Sequence, residues 1–351
     1  MPDEPQARAD GAVAHPSRSL TSASAWAHAR PALLPAVMVL TLAYQLAGWV
    51  PLALVGHVLL ALYIVTEWPR LTRIPRLILS VAGGVLAVLP WFSPDPAASL
   101  FLAFNRAAWF ATFLAALSFL REAAATSPLV RRCGEVIINQ PPAKRYLTLA
   151  SGSYLIGMLL NMAVLNLLGV MVRRANTLAA AGGHAVIRDV RTRRMFTAMI
   201  RGFATAPLGS PLTLTLALIL SILPELRWWA VLPWGIVTMT MLIAFGWLWD
   251  RATAPRQLAS MVGPLARPPH GARTILRFLA LVLAVFAAAV AVELALDVPL
   301  PLAILLTAPP AAFLWMLVQR RRHGPRRAAA LTTARLVRGA PDQFGGMRAE
   351  V

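Results

Sequence analysis

The sequence predicts an all-α integral membrane protein with about eight transmembrane helices, one re-entrant helical hairpin and interfacial amphipathic helices. Three observations carry that expectation. Of the 351 residues 58% are hydrophobic and 13% charged, and the mean hydropathy is +0.65, too apolar for a chain that must cover itself with polar surface. Apolar stretches recur near the roughly 20 residues that a helix needs to cross hydrocarbon. They run continuously, as at 212–223, where barrel strands would alternate. Third, the charges gather in the short segments between these stretches, where positive charge orients a membrane protein.

The same placement answers the net charge of +19, with 33 basic residues against 14 acidic ones. Basic loops between apolar spans face anionic lipid head groups, so the lipid bilayer is the expected partner and nucleic acid is not. The single cysteine, Cys133, rules out an intramolecular disulfide. Residues 1–31 mix Asp3, Glu4 and Asp10 with Arg8, Arg18 and Arg30 and read as a disordered cytoplasmic tail, not a signal peptide.

The elements follow in order. Spans at 32–50 and 51–68 meet at Pro51 without a charge between them. Arg70, Arg73 and Arg76 then precede a third span ending near Phe92, and the charge-poor Ser93-Pro94-Asp95-Pro96 follows it. The arginines are therefore internal and that loop external. A fourth span, 98–120, leads back to Arg121, Arg131, Arg132, Lys144 and Arg145, with an amphipathic interfacial helix at 122–142 ended by Pro141-Pro142.

The stretch 146–172 is long enough to cross once. Lys144 and Arg145 stand before it, Arg173 and Arg174 after it, and Arg188, Arg191, Arg193 and Arg194 beyond. One crossing would put a basic cluster outside, whereas a hairpin turning near 157–161 keeps both inside. The stretch 195–223 is interrupted by Pro207-Leu208-Gly209-Ser210-Pro211, which should split it into two half-helices. Spans at 228–249, 274–292 and 299–318 complete the set. Glu225, Arg227, Glu293 and Asp297 fall in the external turns; Arg251, Arg256, Arg267, Arg273 and Arg320 to Arg322 are internal. The domain 32–320 thus has both ends inside a bacterial-type inner membrane, and 321–351 is a basic cytoplasmic tail with an interfacial helix at 328–337.

Chemistry is sparse. No His/Cys cluster, phosphate-binding glycine loop or carboxylate pair within a span points to an enzyme. His57, alone in a span, reads as a hydrogen-bonded packing residue. Carriers build substrate sites where helices break in lipid, and two breaks follow one another here. The candidate substrate-binding residues are Ser153 and Asn161 in the hairpin and Arg201, Thr205, Gly209 and Ser210 at the broken helix. The second half-helix, starting near Gly209-Ser210, would aim its amides and positive dipole end at an anion. Ser151, Ser153 and Asn161 serve equally well to glue packed helices, and Arg201 and Arg106 to snorkel. No metal or cofactor is expected.

A basic amphipathic segment, a hairpin with an Asn near its tip and a helix broken at Gly-Ser-Pro resemble the ion transporter superfamily of divalent anion:sodium symporters and arsenite permeases. The segments from Arg145-Tyr146-Leu147 through Asn161-Met162-Ala163, and from Arg201-Gly202-Phe203 through Pro211, carry the resemblance. It implies alternating-access transport of a small anionic solute, such as a carboxylate, coupled to sodium or protons. That family's tip carries a Ser-Asn-Thr type motif, of which Asn161 alone matches, flanked by Leu160 and Met162. The family also has two inverted repeats where this chain shows one, so the second comes from a continuation past Val351 or from a homodimer. The rival expectation is a membrane scaffold or accessory subunit with no solute site.

Overall fold

The computed structural model describes residues 22–223, 225–253 and 271–320, with side chains from residue 32 on. The expected tails 1–21 and 321–351, with the interfacial helix at 328–337, lie outside the described residues, as do Arg256 and Arg267. Among the described residues all regular structure is helical. α1 (Ser22–Ala47) begins inside the segment expected to be a tail, and it pairs with α2 (Val50–Glu67). Gly48, at φ +68, makes the bend between them, a conformation that a Cβ would penalise. Pro51 is instead in the first turn of α2, where its missing N–H costs nothing.

α3 (Arg73–Phe92) and α4 (Pro96–Ala125) follow. Asp95 caps α4 by accepting the amide of Ala98 at 3.1 Å, which uses one of the donors that every helix start leaves over. The amphipathic helix is shorter than expected. α4 continues through Ala125, so the separate helix is α5 (Pro128–Ile138), its start capped by Ser127 Oγ accepting from Leu129 N at 3.2 Å. α5 buries Val130, Cys133, Ile137 and Ile138 while Arg131, Arg132 and Glu135 stay at the surface.

α6 (Pro142–Leu160) and α7 (Ala163–Ala175) come next, then α8 (Ala185–Ala204), the single turn α9 (Ala206–Gly209) and α10 (Leu214–Ile222). α11 (Trp228–Ala252), α12 (Gly271–Leu296) and α13 (Leu300–Gln319) end the described chain. Seven segments among the described residues are long and apolar enough to cross a membrane: α2 with its 3-10 extension, α3, α4, α8 to α10 as one, α11, α12 and α13. The apolar part of α1, Ala32–Ala47, is shorter.

α6 forms the centre of the core. Leu149, Ile156 and Leu160 pack with Phe113 and Leu120 of α4, Leu168 of α7, Met195 and Met199 of α8 and Ile304 of α13. α6 and α8 touch backbone to backbone, because a Cβ on Gly202 would fall on the carbonyl group of Ala150. α3 is the opposite case. Nothing in it is buried although Ile74, Leu77, Ile78, Val81 and Val85 cover it. A helix apolar on its outer face and buried nowhere within the chain has lipid as its solvent.

Named contacts gather the basic loops at one end of the bundle. Gln319 donates to the carbonyl of Ala123 at 3.0 Å, Cys133 to that of Thr274 at 3.5 Å, and Arg194 pairs with Asp250. These contacts join the end of α13 to that of α4, α5 to the start of α12, and the middle of α8 to the end of α11. At the far end Trp228 Nε1 donates to Glu293 at 2.9 Å, tying the start of α11 to the end of α12.

Candidate functional site

The site is built from two helix interruptions, one after α6 and one after α8, and from the contact that mid-α6 makes with the second. Between α6 and α7 the chain turns at Asn161, whose φ is +52 and ψ −136, as at the first central position of a II′-type turn, where Gly, Asn and Asp predominate. Asn161 N donates to Gly157 O at 2.8 Å, and Val164 N to Asn161 O at 3.1 Å. The turn is thus at 161–162 and not spread over 157–161. Gly157 remains helical, and a Cβ there would stand 3.0 Å from the ring of Phe203.

The two limbs return to one end of α8. Asn176, just past α7, donates to Arg188 O at 2.8 Å and to Thr192 Oγ1 at 2.6 Å. Arg145, at the start of α6, feels the charges of Arg191 and Arg194 in the same part of α8. The tip, through Gly157, meets Phe203 near the other end of α8.

The second interruption opens at Thr205, where α8 stops, and runs through α9 to Thr213. The second half-helix starts at Leu214, not near Gly209-Ser210 as its sequence suggested. Ser210 is extended, at φ −113 and ψ 127. Pro211 after it disfavours the helical region at 210 and lacks an amide hydrogen. Ser210 Oγ accepts from Leu212 N at 3.3 Å and Thr213 Oγ1 donates to Ser210 O at 3.0 Å, so local side chains take up the freed backbone groups.

α6 meets the second interruption through Tyr154, about two turns before the tip, whose hydroxyl donates to Gly209 O at 2.6 Å with both atoms buried. Of the expected residues, Ser153, Thr205, Gly209 and Ser210 are buried along the α6 to α9 region. Thr205 Oγ1 donates to its own helix at Gly202 O, 2.8 Å. Ser153 is fully buried, and its Oγ has no partner among the described residues. Asn161 and Arg201 are exposed and do not join them. Ser151, also exposed, donates back to Leu147 O at 2.5 Å, and Arg106 and Asn166 are exposed as well. His57 packs against the rings of Phe101 and Phe104 at 5.3 and 5.8 Å, but its Nε2 has no partner among the described residues.

Tyr154 is the residue that sequence reasoning missed. Its signal was a hydroxyl-bearing ring beside Ser153 inside an apolar stretch, where such a group must find an acceptor. Tyr154→Phe leaves Gly209 O without that donor, and we expect about 1–2 kcal/mol of lost stability from a buried unpaired acceptor. An unchanged unfolding midpoint in detergent would remove the bond from this description.

An open pocket of about 450 Å³ lies elsewhere, at the corner of α4 and α5, lined by Thr126, Ser127, Arg131, Arg132 and Glu135 among others. Among the described residues no three His, Cys, Asp or Glu side chains come together as metal ligands.

Helices of this length and apolarity, with lipid-facing surfaces such as that of α3, define a multi-pass α-helical membrane protein. Comparison with known protein families, with curated proteins and with solved structures finds no match to this chain.

Proposed function

We propose that the chain is a secondary carrier, or one repeat of one, that moves a small anionic solute such as a carboxylate by alternating access between the α6–α7 tip and the broken helix. One observation carries the reading: α6, the helix that ends in the first interruption, is bonded to the second through Tyr154 and Gly209, with the neighbouring Ser153 buried and its hydroxyl without a partner among the described residues. Non-helical backbone inside lipid survives where it is buried in protein or lines a polar cavity, and paired interruptions are how carriers build a site there. In this reading α6 and α7 dip into the membrane and return. α1 is then the eighth span, both termini are cytoplasmic in a bacterial-type inner membrane, and the basic end of the bundle faces anionic head groups. The resemblance to divalent anion:sodium symporters extends the proposal to a coupling sodium ion or proton and to a homodimer or second repeat that completes the site.

A scaffold reading has its own observation. Thr205 and Ser210 spend their hydroxyls on backbone groups two or three residues away, and Tyr154 bonds α6 to Gly209, as helix-gluing polar residues do. Single cysteines at Ser153 and Ser210, in a Cys133→Ala background, separate the two. Gly157 is a poorer probe, since its added Cβ would crowd Phe203. Cys133 is buried and its thiol pushed up to about 11 by desolvation, so incomplete removal would add little labelling. A carrier predicts that a membrane-impermeant thiol reagent modifies Ser153→Cys and Ser210→Cys in sealed vesicles, with the rate changed by solute. Protection of both at all times supports the scaffold and ends the carrier proposal.

A further inference from the structure

At the basic end of the bundle the described structure contains more buried positive charge than it balances. Arg194 is paired: its Nε donates to Asp250 Oδ1 at 3.0 Å and its Nη2 to Oδ2 at 2.6 Å. Among the described residues Arg145 and Arg191 pair with no carboxylate. Arg145 Nε reaches only Gln140 O, at 3.3 Å, and Arg191 Nη1 only Ala180 O, also at 3.3 Å. Arg145 Nη2 and Arg191 Nε are buried donors with no partner among the described residues, and Arg191 is 8% exposed. Asp189, the other nearby carboxylate, is exposed and taken by Arg188 at 2.8 Å.

Tyr146, next to Arg145, reaches Gly246 of α11, one turn before the Asp250 that holds Arg194, so the start of α6 and the Arg191–Arg194 turn of α8 pack on the same end of α11. Arg145 lies just outside 146–172, and burial together with the charges of Arg191 and Arg194 pushes it down to about 10. It therefore remains protonated at neutral pH, beside cations that repel it. Burying a guanidinium with donors unmade is among the costlier arrangements in a protein, and a multidentate oxyanion is its natural complement.

We infer that Arg145 and Arg191 form a binding site for a phosphate group at the basic end of the bundle, where α6 and α8 begin. The phosphate oxygens accept from Arg145 Nη2 and Arg191 Nε, while Asp250 keeps Arg194 engaged at the margin. An inorganic phosphate and the phosphodiester of an anionic phospholipid offer the same oxygens. The site is distinct from the Tyr154–Gly209 region and does not depend on the carrier reading, because thiol labelling tests that region and phosphate titration tests this one.

The test uses the full chain purified in a neutral detergent, with thermal unfolding followed by tryptophan fluorescence. In one arm inorganic phosphate is titrated against chloride at matched ionic strength. In the other the protein is reconstituted in vesicles of phosphatidylcholine alone or with phosphatidylglycerol. Saturation should raise the midpoint by roughly 5 °C, in the first arm for a free phosphate and in the second alone for a lipid head group. Arg191→Gln and Arg145→Gln should each lose most of that rise, while Arg174→Gln, an exposed arginine just past the core of α7, should keep it. If Arg191→Gln does not fold, Arg145→Gln decides. No rise in either arm, or an equal rise in Arg145→Gln and Arg174→Gln, overturns the site.

Discussion

Gly202→Ala should be among the most destabilising single substitutions in this chain. The added Cβ would fall on the carbonyl oxygen of Ala150, with its carbonyl carbon and Cα each 2.5 Å away. All three obstacles are backbone, so no rotamer change relieves them, and α6 and α8 must separate along the most buried contact in the core. Overpacking typically costs 1–3 kcal/mol when side chains can adjust; here we expect about 3 kcal/mol or more. Ala150→Gly should not rescue it, because the blocking atoms remain. Gly83→Ala in α3 is the contrast: nothing lies within 4 Å of that Cβ, and a helical glycine replaced by alanine should gain up to about 1 kcal/mol. Unfolding midpoints of the three variants check this, and a Gly202→Ala protein as stable as the parent would mean that the helices do not touch there.

Asp250→Ala is the second large effect. Its carboxylate holds Arg194 in a bidentate pair, with 2.6 Å as the shorter contact, and Arg194 is one of the two cations whose charge Arg145 feels. The pair is partly exposed, 36% for Arg194 and 20% for Asp250, which tempers the cost. We expect about 2 kcal/mol, from lost charge-assisted bonds and from three cations left together. Arg194→Met on top of Asp250→Ala should recover part of the loss, since it removes one of the repelling charges. A double mutant as unstable as the sum of its single mutants would show that repulsion contributes nothing.

How far the sequence could be read depends on which force set each feature. The seven membrane-length helices follow from run length and apolarity, which need no knowledge of neighbours. Proline placement was legible at the second interruption, though not at Pro51, which starts α2 while Gly48 makes the bend. Pro207 and Pro211 interrupt the helix where expected, because a missing amide hydrogen and a fixed φ act locally. Boundaries set by neighbours were not. α8 begins at Ala185, well before 195, because Arg191 and Arg194 find partners on the Ala180 carbonyl and Asp250, and a polar helical turn is stable only once such partners exist. The restart at Leu214 rather than Gly209 likewise follows from Tyr154, which draws Gly209 O out of the helical ladder from another helix.

The candidate residues divide in the same way. Residue type and spacing marked Ser153, Thr205, Gly209 and Ser210, and the fold places all four in the buried α6 to α9 region. It leaves Asn161, in the turn, and Arg201, on a helix face that meets no neighbour, at the surface.

By itself, then, the chain's pattern of apolar runs, prolines and arginines determined its solvent, its helices and the two interruptions, because transfer from water and backbone sterics act on each segment alone. Only the tertiary structure decided that Tyr154 of α6 meets Gly209 in the second interruption, and that Arg145 and Arg191, each with a buried donor lacking a partner among the described residues, come into one charged cluster. Those are relations between residues 46 to 55 positions apart, and such pairings are set by packing of helix against helix, which leaves no periodic trace in sequence.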